Sequence, residues 1–363
     1  MKIIKLNLKK QSYNIIVGSN ILYLLGDYIR KLNIGYDAYI LTNPSIRNRY
    51  GRALQKVLKQ SGFVVKFKLI PDTEKSKSIE MLSLIIKDIT SFDKRKRIFI
   101  IAFGGGVVGD LAGFVASVYK RGVPYIQVPT TLLAQVDSSI GGKTGVDLRE
   151  GKNLLGAFYQ PRLVFSDTGF LRTLELRQIK TGLAEVIKCA IIKDPQLFNY
   201  LEKKYKDVLT YKQSALNFIV RRFSSLKAKI VQRDEREEKG IRTILNFGHT
   251  IGHAIEAAGN YKRYNHGEAI ALGMLVACDI SRKKNIINNI TSQRIENLIK
   301  TVGLPTRIKN ISIPDIIKSH YRDKKFIGSK NRFVLIKTIG KTIIVENIPL
   351  KIIKEALRGR TQA

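Results

Sequence analysis

The feature that most constrains the fold is a continuous apolar run, Ile98 to Phe103, followed directly by Gly104 to Gly106. A run without polar alternation is typical of a strand buried on both faces, and such strands occur in parallel sheets covered by helices. The glycines permit a tight turn, and the following residues, Leu111 to Tyr119, have a helical pattern. The sequence therefore predicts a strand–turn–helix unit of an α/β domain.

Strand and helix patterns alternate through the whole first half of the chain. Residues 1–20 have the pattern of two short strands, Tyr36 to Thr42 and Phe63 to Ile70 each that of a strand, and Ser78 to Thr90 that of a helix. After about residue 175 helical patterns dominate, and residues 332–348 have the pattern of a hairpin. The later helical segments are Gly182 to Lys193, Gln213 to Arg233, Thr250 to Ala258, Glu268 to Lys283 and Thr291 to Thr301.

We therefore predict a Rossmann-like α/β nucleotide-binding domain over residues 1–174 and a mainly α-helical domain over residues 175–363. A chain of 363 residues with 44% hydrophobic content can bury two cores. Its start alternates like a strand and no apolar run approaches the roughly 20 residues of a membrane span, so we expect a soluble, cytoplasmic protein. Cys189 and Cys278 lie in helical apolar patterns, which favours buried free thiols.

The chain is strongly basic, with 64 Lys and Arg against 29 Asp and Glu, a formal net charge of +35. Such an excess raises the possibility of nucleic-acid binding. The basic residues are spread over the whole chain, however, without a tail or a zinc-finger spacing. Solvated basic faces are the favoured interpretation, and a basic surface can still attract small anionic substrates.

Two segments rich in glycine or hydroxyl groups indicate a ligand. Gly104 to Gly109 satisfies G-x-G-x-x-G between a strand and a helix, which favours binding of a pyrophosphate. The expected acidic residue for a ribose is missing, however, from Tyr125 to Pro129. Structural glycines in a tight turn remain the alternative. Pro129 to Gly145 and Gly151 to Asn153 combine hydroxyls, lysines and exposed amides, groups that hold phosphates and polyols. An ordinary polar loop is the alternative there.

Histidines are concentrated in one segment: of four in the chain, three are His249, His253 and His266. Two imidazoles with one carboxylate and an open position form the ligand set of a catalytic zinc site. Glu185 and Lys188 lie at i and i+3 of a predicted helix, where a surface ion pair is the default interpretation. His249 is not followed by the glutamate of a metalloprotease helix, so peptide hydrolysis is disfavoured.

These motifs together resemble the 3-dehydroquinate synthase family over essentially the whole chain. The resemblance rests on Gly105 to Asp110, Pro129 to Ser139, Gly141 to Lys143, Gly151 to Asn153, Leu183 to Glu185, Asn246 to Thr250 and His266 to Glu268. It implies a shikimate-pathway enzyme that converts 3-deoxy-D-arabino-heptulosonate 7-phosphate into 3-dehydroquinate and phosphate. The implied course is transient oxidation, phosphate elimination, reduction and intramolecular aldol closure, with regenerated NAD and with Zn²⁺ or Co²⁺. Family members pair a nucleotide-binding domain with a helical domain and usually form homodimers.

Site residues follow from the resemblance by position. The implied metal ligands are Glu185, His249 and His266. The implied NAD-binding residues are Asn43, Asp72, Thr73, Glu74, Lys75, Ser76, Lys77, Gly106, Val107, Val108, Gly109, Asp110, Thr130, Thr131, Lys143, Lys152, Phe170, Leu171, Arg172 and Thr173. The implied substrate and catalytic residues are Asp137, Lys143, Asn153, Lys188, Arg242 and His253, with Arg121 contributed by a partner subunit.

Some points stay open in the sequence. Glu175 to Gln178 and Asp167 to Thr173 depart from the family pattern without touching an implied metal ligand. A further substrate lysine is Lys324, Lys325 or Lys341. The alternatives in function are another sugar-phosphate cyclase or a metal-dependent polyol dehydrogenase on the same scaffold, and, in another class, a basic nucleic-acid-binding protein.

Overall fold

The computed structural model describes residues 1–94, 97–148, 150–321 and 331–361. The chain forms two compact units, Met1–Leu174 with Leu216–Arg236, and Glu175–Ala215 with Glu237–Ala363. Residues 216–236 thus belong to the first unit, although their helical pattern groups them with the later helices in the sequence. Periodicity identifies a helix but not the core against which it packs.

The first unit is built on a mostly parallel sheet, as predicted. The strands are β1 (Lys2–Leu6), β2 (Tyr13–Gly18), β3 (Asp37–Thr42), β4 (Val64–Leu69), β5 (Ile98–Gly104), β6 (Tyr125–Pro129), β7 (Lys143–Leu148), β8 (Gly151–Phe158) and β9 (Leu163–Asp167). The large sheet has the order β1-β2-β9-β6-β5-β3-β4, in which β1 pairs antiparallel with β2 and the other pairs are parallel.

The helices cover both faces of this sheet and then dominate the second unit. They are α1 (Leu25–Leu32), α2 (Pro44–Gln60), α3 (Ile79–Phe92), α4 (Gly106–Val118), α5 (Leu176–Lys193), α6 (Pro195–Leu209), α7 (Gln213–Arg233), α8 (His249–Ala258), α9 (His266–Lys283), α10 (Asn289–Thr301), α11 (Ile313–Tyr321) and α12 (Leu350–Arg358). The predicted helices are all present; α6, α11 and α12 were not singled out by the sequence patterns.

Alternate residues of the central strands enter two separate cores, which explains their continuous apolar character. From β5, Ile98, Ile100 and Ala102 join a cluster that includes residues of α3 and α4. Phe99 and Ile101 join the opposite cluster, which includes residues of α1 and α2. Both faces of this strand are therefore shielded from water, as the sequence pattern predicts.

The segment from Pro129 to Asn153 is more ordered than a polar loop. It contains a π-helical turn, Ala134–Ser138, and the antiparallel hairpin of β7 and β8. Its glycines serve the hairpin in part, because a side chain at Gly145 would lie 2.8 Å from the carbonyl oxygen of Leu155. Some of the small residues are therefore explained by the close approach of the two hairpin strands. The sequence alone does not distinguish this role of glycine from ligand binding.

The second unit is organised around α9, in which every residue from Ala269 to Ser281 is buried. The predicted hairpin is present as β10 (Arg332–Thr338) and β11 (Lys341–Glu346). Cys189 and Cys278 are both buried and not joined in a disulfide bond, as predicted. In the described part of the chain, none of the helices has both the length and the apolar character that crossing a membrane requires.

Candidate active site

In the first unit, most of the predicted NAD-binding residues lie where parallel strands end. They follow the carboxyl ends of β3, β4, β5, β6 and β9, whereas Lys143 and Lys152 lie on the hairpin of β7 and β8. From β3 the chain leads through α2 to β4 on one side, and from β5 through α4 to β6 on the other. Such a reversal of strand order opens a crevice at the carboxyl edge, where open α/β sheets bind their ligands.

The glycine turn and its neighbours form this edge. Gly105 caps α4, whose first residue is Gly106, so the free amides at the helix start belong to the predicted loop. Thr130 donates its backbone N–H to the carbonyl of Gly104 at 2.9 Å, which joins the loops after β5 and β6. Asn43 caps α2 by accepting the amide of Ile46 at 2.9 Å. The predicted nucleotide loops therefore converge on one edge of the sheet.

A charged cluster of predicted cofactor residues, together with the predicted substrate residue Asn153, surrounds the buried ammonium of Lys77. It lies 2.9 Å from Asp110 Oδ2, 2.5 Å from Asn153 Oδ1 and 3.8 Å from Glu74 Oε1. Burial opposes its charge, but the carboxylates outweigh burial and raise the pKa of Lys77. Lys152 reaches Glu74 Oε1 at 3.4 Å. Residues far apart in the sequence thus form one polar cluster suited to hydroxyl and phosphate groups.

The remaining predicted cofactor residues differ in what their side chains can do. Phe170 and Leu171 are buried, and the ring of Phe170 packs 4.7 Å from that of Tyr50, so only their backbone can face a ligand. Ser76 is buried and donates its hydroxyl to the carbonyl of Pro71. The exposed members of the predicted cofactor set are Asp72, Thr73, Glu74, Lys75, Lys143, Arg172 and Thr173.

The sequence missed Lys227, which contacts the predicted substrate residue Asp137. The side chain of Lys227 is 6% exposed and donates to both the carboxylate and the backbone carbonyl of Asp137. In a chain with 64 Lys and Arg, one more lysine in a helical pattern carries no distinguishing signal. Only the fold brings it to Asp137, from the part of α7 that belongs to the first unit.

In the second unit, Glu185, His249 and His266 converge. Glu185 Oε1 lies 3.5 Å from His249 Nε2 and 3.4 Å from His266 Nε2. A tetrahedral ion with bonds of about 2.0–2.1 Å separates its ligand atoms by roughly 3.3–3.4 Å. Glu185 is fully buried, while the histidines are partly accessible. The donor set and its spacing both fit a zinc-type ion.

Hydrogen bonds to the other ring nitrogens favour the same interpretation. His249 Nδ1 lies 3.2 Å from the carbonyl of Phe247, which only accepts, so Nδ1 carries the hydrogen and Nε2 keeps its lone pair. Burial opposes protonation of His266, but Glu185 and Glu256 outweigh burial and raise the pKa of this ring to about 10. The site therefore attracts positive charge, from a proton or from a metal ion.

A second group within the described residues has metal-binding potential and shares His266. It consists of His253, Glu256 and His266, whose ligand atoms lie within 4.8 Å of one another. Glu256 Oε2 is 3.3 Å from His266 Nδ1, the nitrogen opposite the one that faces Glu185. The two groups therefore use opposite sides of one imidazole.

The predicted basic residues of this unit are buried beside acidic partners. Lys188 contacts Glu185 and its side chain is 3% exposed, so this pair is not on the surface. Arg242 is also buried, with Nε 3.2 Å from Glu237 Oε1. His253 has its ring 5.2 Å from that of His249. Of the lysines left open by the sequence, Lys341 begins β11, whereas Lys324 and Lys325 lie outside the described residues.

Comparison with known proteins gives matches along nearly the whole chain. A model of the 3-dehydroquinate synthase N-terminal domain matches residues 67–181, and one of the C-terminal domain matches residues 182–326. The 3-dehydroquinate synthase of Thermoanaerobacter pseudethanolicus is 43% identical over 98% of this chain and 100% of that protein.

Two solved structures share the fold over almost their full length. A 2-deoxy-scyllo-inosose synthase complexed with carbaglucose-6-phosphate, NAD⁺ and Co²⁺ has a TM-score of 0.90 and 26% identity, covering 99% of this chain and 100% of that one. A 2-epi-5-epi-valiolone synthase from Streptomyces hygroscopicus with NAD⁺ and Zn²⁺ bound has a TM-score of 0.87 and 27% identity, covering 97% and 98%.

Proposed function

The chain belongs to the 3-dehydroquinate synthase family, and from that premise we propose that Glu185, His249 and His266 bind its catalytic metal ion. The reaction converts 3-deoxy-D-arabino-heptulosonate 7-phosphate into 3-dehydroquinate and phosphate, a carbon–oxygen lyase step of the shikimate pathway. The observation that carries the metal assignment is that two imidazole nitrogens converge on one carboxylate oxygen, at distances of 3.4 and 3.5 Å from it.

The cofactors are NAD and a divalent ion, Zn²⁺ or Co²⁺, as in the two related cyclases of known structure. When bound, the ion supplies Lewis acidity toward substrate hydroxyl oxygens, and NAD supplies a hydride acceptor and donor. Glu185 contributes the negative charge of the ligand set, and the two imidazoles contribute neutral nitrogens. In the first unit, the amides at the start of α4 hold the pyrophosphate, and the cluster around Lys77 holds ribose hydroxyls.

The substrate carries a carboxylate and a phosphate, and buried cations of the chain match that charge. We assign Lys188 and Arg242 to anion binding, because each is a buried cation whose position is fixed by a neighbouring carboxylate. His253 is assigned to proton transfer, since its imidazole lies beside the metal ligands and an imidazole ring can both accept and donate a proton. Asp137, Lys143 and Asn153 complete the proposed contacts, with Lys227 holding Asp137 in place.

The decisive experiment is phosphate release from the heptulosonate phosphate by purified protein, with and without added NAD and a chelator. We expect release that requires both NAD and metal, with 3-dehydroquinate as the product. Another carbocycle from a different sugar phosphate would favour a sister cyclase. Accumulation of NADH on a polyol without phosphate release would favour a dehydrogenase and contradict the proposed roles.

We further propose that the protein is a cytoplasmic homodimer in which Arg121 reaches the partner's substrate. Arg121 is exposed and has a left-handed φ of 62° in the turn after α4. Light scattering during size-exclusion chromatography tests the dimer. The contribution between subunits is tested by mixing an Arg121→Ala chain with a second inactive chain. If Arg121 acts on the partner's substrate, the mixed dimer regains activity. If each site uses only its own Arg121, the mixed dimer stays inactive.

A further inference from the structure

We propose that Glu256 is a positioning residue for the metal centre: it accepts the Nδ1 hydrogen of His266 and so directs Nε2 of that ring toward Glu185 and His249. The inference rests on the proposed metal-binding role of Glu185, His249 and His266. Its direct observation is the 3.3 Å separation between Glu256 Oε2 and His266 Nδ1. The resemblance to the family and the sequence patterns assigned no role to Glu256.

The geometry of α8 places Glu256 where this role requires it. His249, His253 and Glu256 lie at i, i+4 and i+7, so they share one face of the helix. The His266 ring is 5.6 Å from that of His249 and 6.2 Å from that of His253, so this face of α8 lies alongside it. Glu256 is only 7% exposed, and its carboxylate is therefore held close to the ring.

The chemistry of imidazole makes such a partner necessary. A neutral ring carries hydrogen on one nitrogen only, and a metal takes the other. His266 is the first residue of α9, where its ring lacks a preceding helical turn to restrict it. For His249, the backbone carbonyl oxygen of Phe247 accepts the corresponding Nδ1 hydrogen, at 3.2 Å. Glu256 supplies His266 with a charged acceptor, which also increases the electron density at Nε2.

The test compares metal affinity among variants of the full chain by competition of Zn²⁺ with a chromogenic chelator. Glu256→Ala should weaken binding by about 10- to 100-fold, the usual effect of losing such a partner. Glu256→Gln keeps an oxygen acceptor and should recover part of that loss. Glu268→Gln is the matched control: it removes the same charge near His266, and glutamine preserves the capping box with Asn265. Its affinity should match the wild type.

Absorption spectra of Co²⁺-loaded protein provide a second readout that reports the ligand geometry. We expect Glu256→Ala to shift the visible bands and Glu256→Gln to retain them largely. Equal Zn²⁺ affinity and spectra in wild type and Glu256→Ala would overturn the inference while leaving the metal centre intact. Two ions per wild-type chain, reduced to one by Glu256→Ala, would also overturn it by making Glu256 a ligand. Absence of metal binding in the wild type would instead contradict the proposed function.

Discussion

At the scale of single residues, the metal centre depends on a buried carboxylate, Glu185, that is paired on both of its oxygens. Glu185 is fully buried, and Lys188 contacts its Oε2 while both histidines face its Oε1. A buried carboxylate is stable only when hydrogen-bonded or paired. The same three groups therefore account for metal affinity and for the burial of an acidic residue in an apolar helix.

Removing one ligand should abolish metal retention and turnover together. His249→Ala or Glu185→Ala leaves two protein ligands, too few to hold the ion at a catalytic site. Metal content after dialysis and the rate of phosphate release measure both effects. Either variant retaining full activity after treatment with a chelator would refute the ligand assignment.

Lys188→Ala should separate substrate binding from metal binding. The ammonium balances Glu185 but is not itself a ligand type for zinc, so the variant should retain its metal. We expect a raised Michaelis constant for the anionic substrate, measured by steady-state phosphate release. An unchanged Michaelis constant would rule out the anion-binding role of Lys188.

At the scale of elements, the site depends on how closely α8 approaches α9. Gly273 of α9 lies against the backbone of Gly248, which caps the start of α8, and of Gly252 within α8, and a side chain at Gly273 would overlap both. His249 and His253 lie on α8, and His266 begins α9. The glycines thus set the spacing between the helices that carry the imidazoles.

Gly273→Ala should therefore damage both stability and metal binding. Overpacking of this kind costs about 1–3 kcal/mol, and separating the helices moves His249 away from His266. Gly359→Ala is the control, because the nearest atom to its new methyl group lies 3.5 Å away and its backbone is not in the left-handed region. Denaturant unfolding and Zn²⁺ affinity should both change for Gly273→Ala and remain near wild type for the control. Equal behaviour of the two variants would contradict this account.

At the scale of the whole molecule, the charge of +35 is a property of the surface as a whole and not of one site. Glu185 and Glu256 at the metal centre are buried, whereas the 64 basic residues are spread along the whole chain. Dispersed positive charge attracts anions at long range and is screened by salt.

Nucleic-acid retention should therefore be weak and sensitive to salt. We expect the protein to release DNA or RNA at about 200 mM salt, because counterion release dominates binding by dispersed charge. Filter binding or the ratio of absorbance at 260 to 280 nm after ion-exchange chromatography measures it. Tight retention at that salt concentration would support the alternative of a dedicated nucleic-acid-binding surface.

The sequence by itself determined the element types, the parallel sheet and the clustering of histidines, because these depend on local periodicity and on residue chemistry. The strand Ile98–Gly104 and the helices carrying His249 and His266 could be predicted for that reason. Only the tertiary structure decided that Glu185 and Lys188 are buried, that Lys227 meets Asp137, and that Glu256 lies behind His266. Some of these contacts join residues that are distant in the sequence, and others depend on which face of a helix packs against the core. A local sequence pattern encodes neither of these properties.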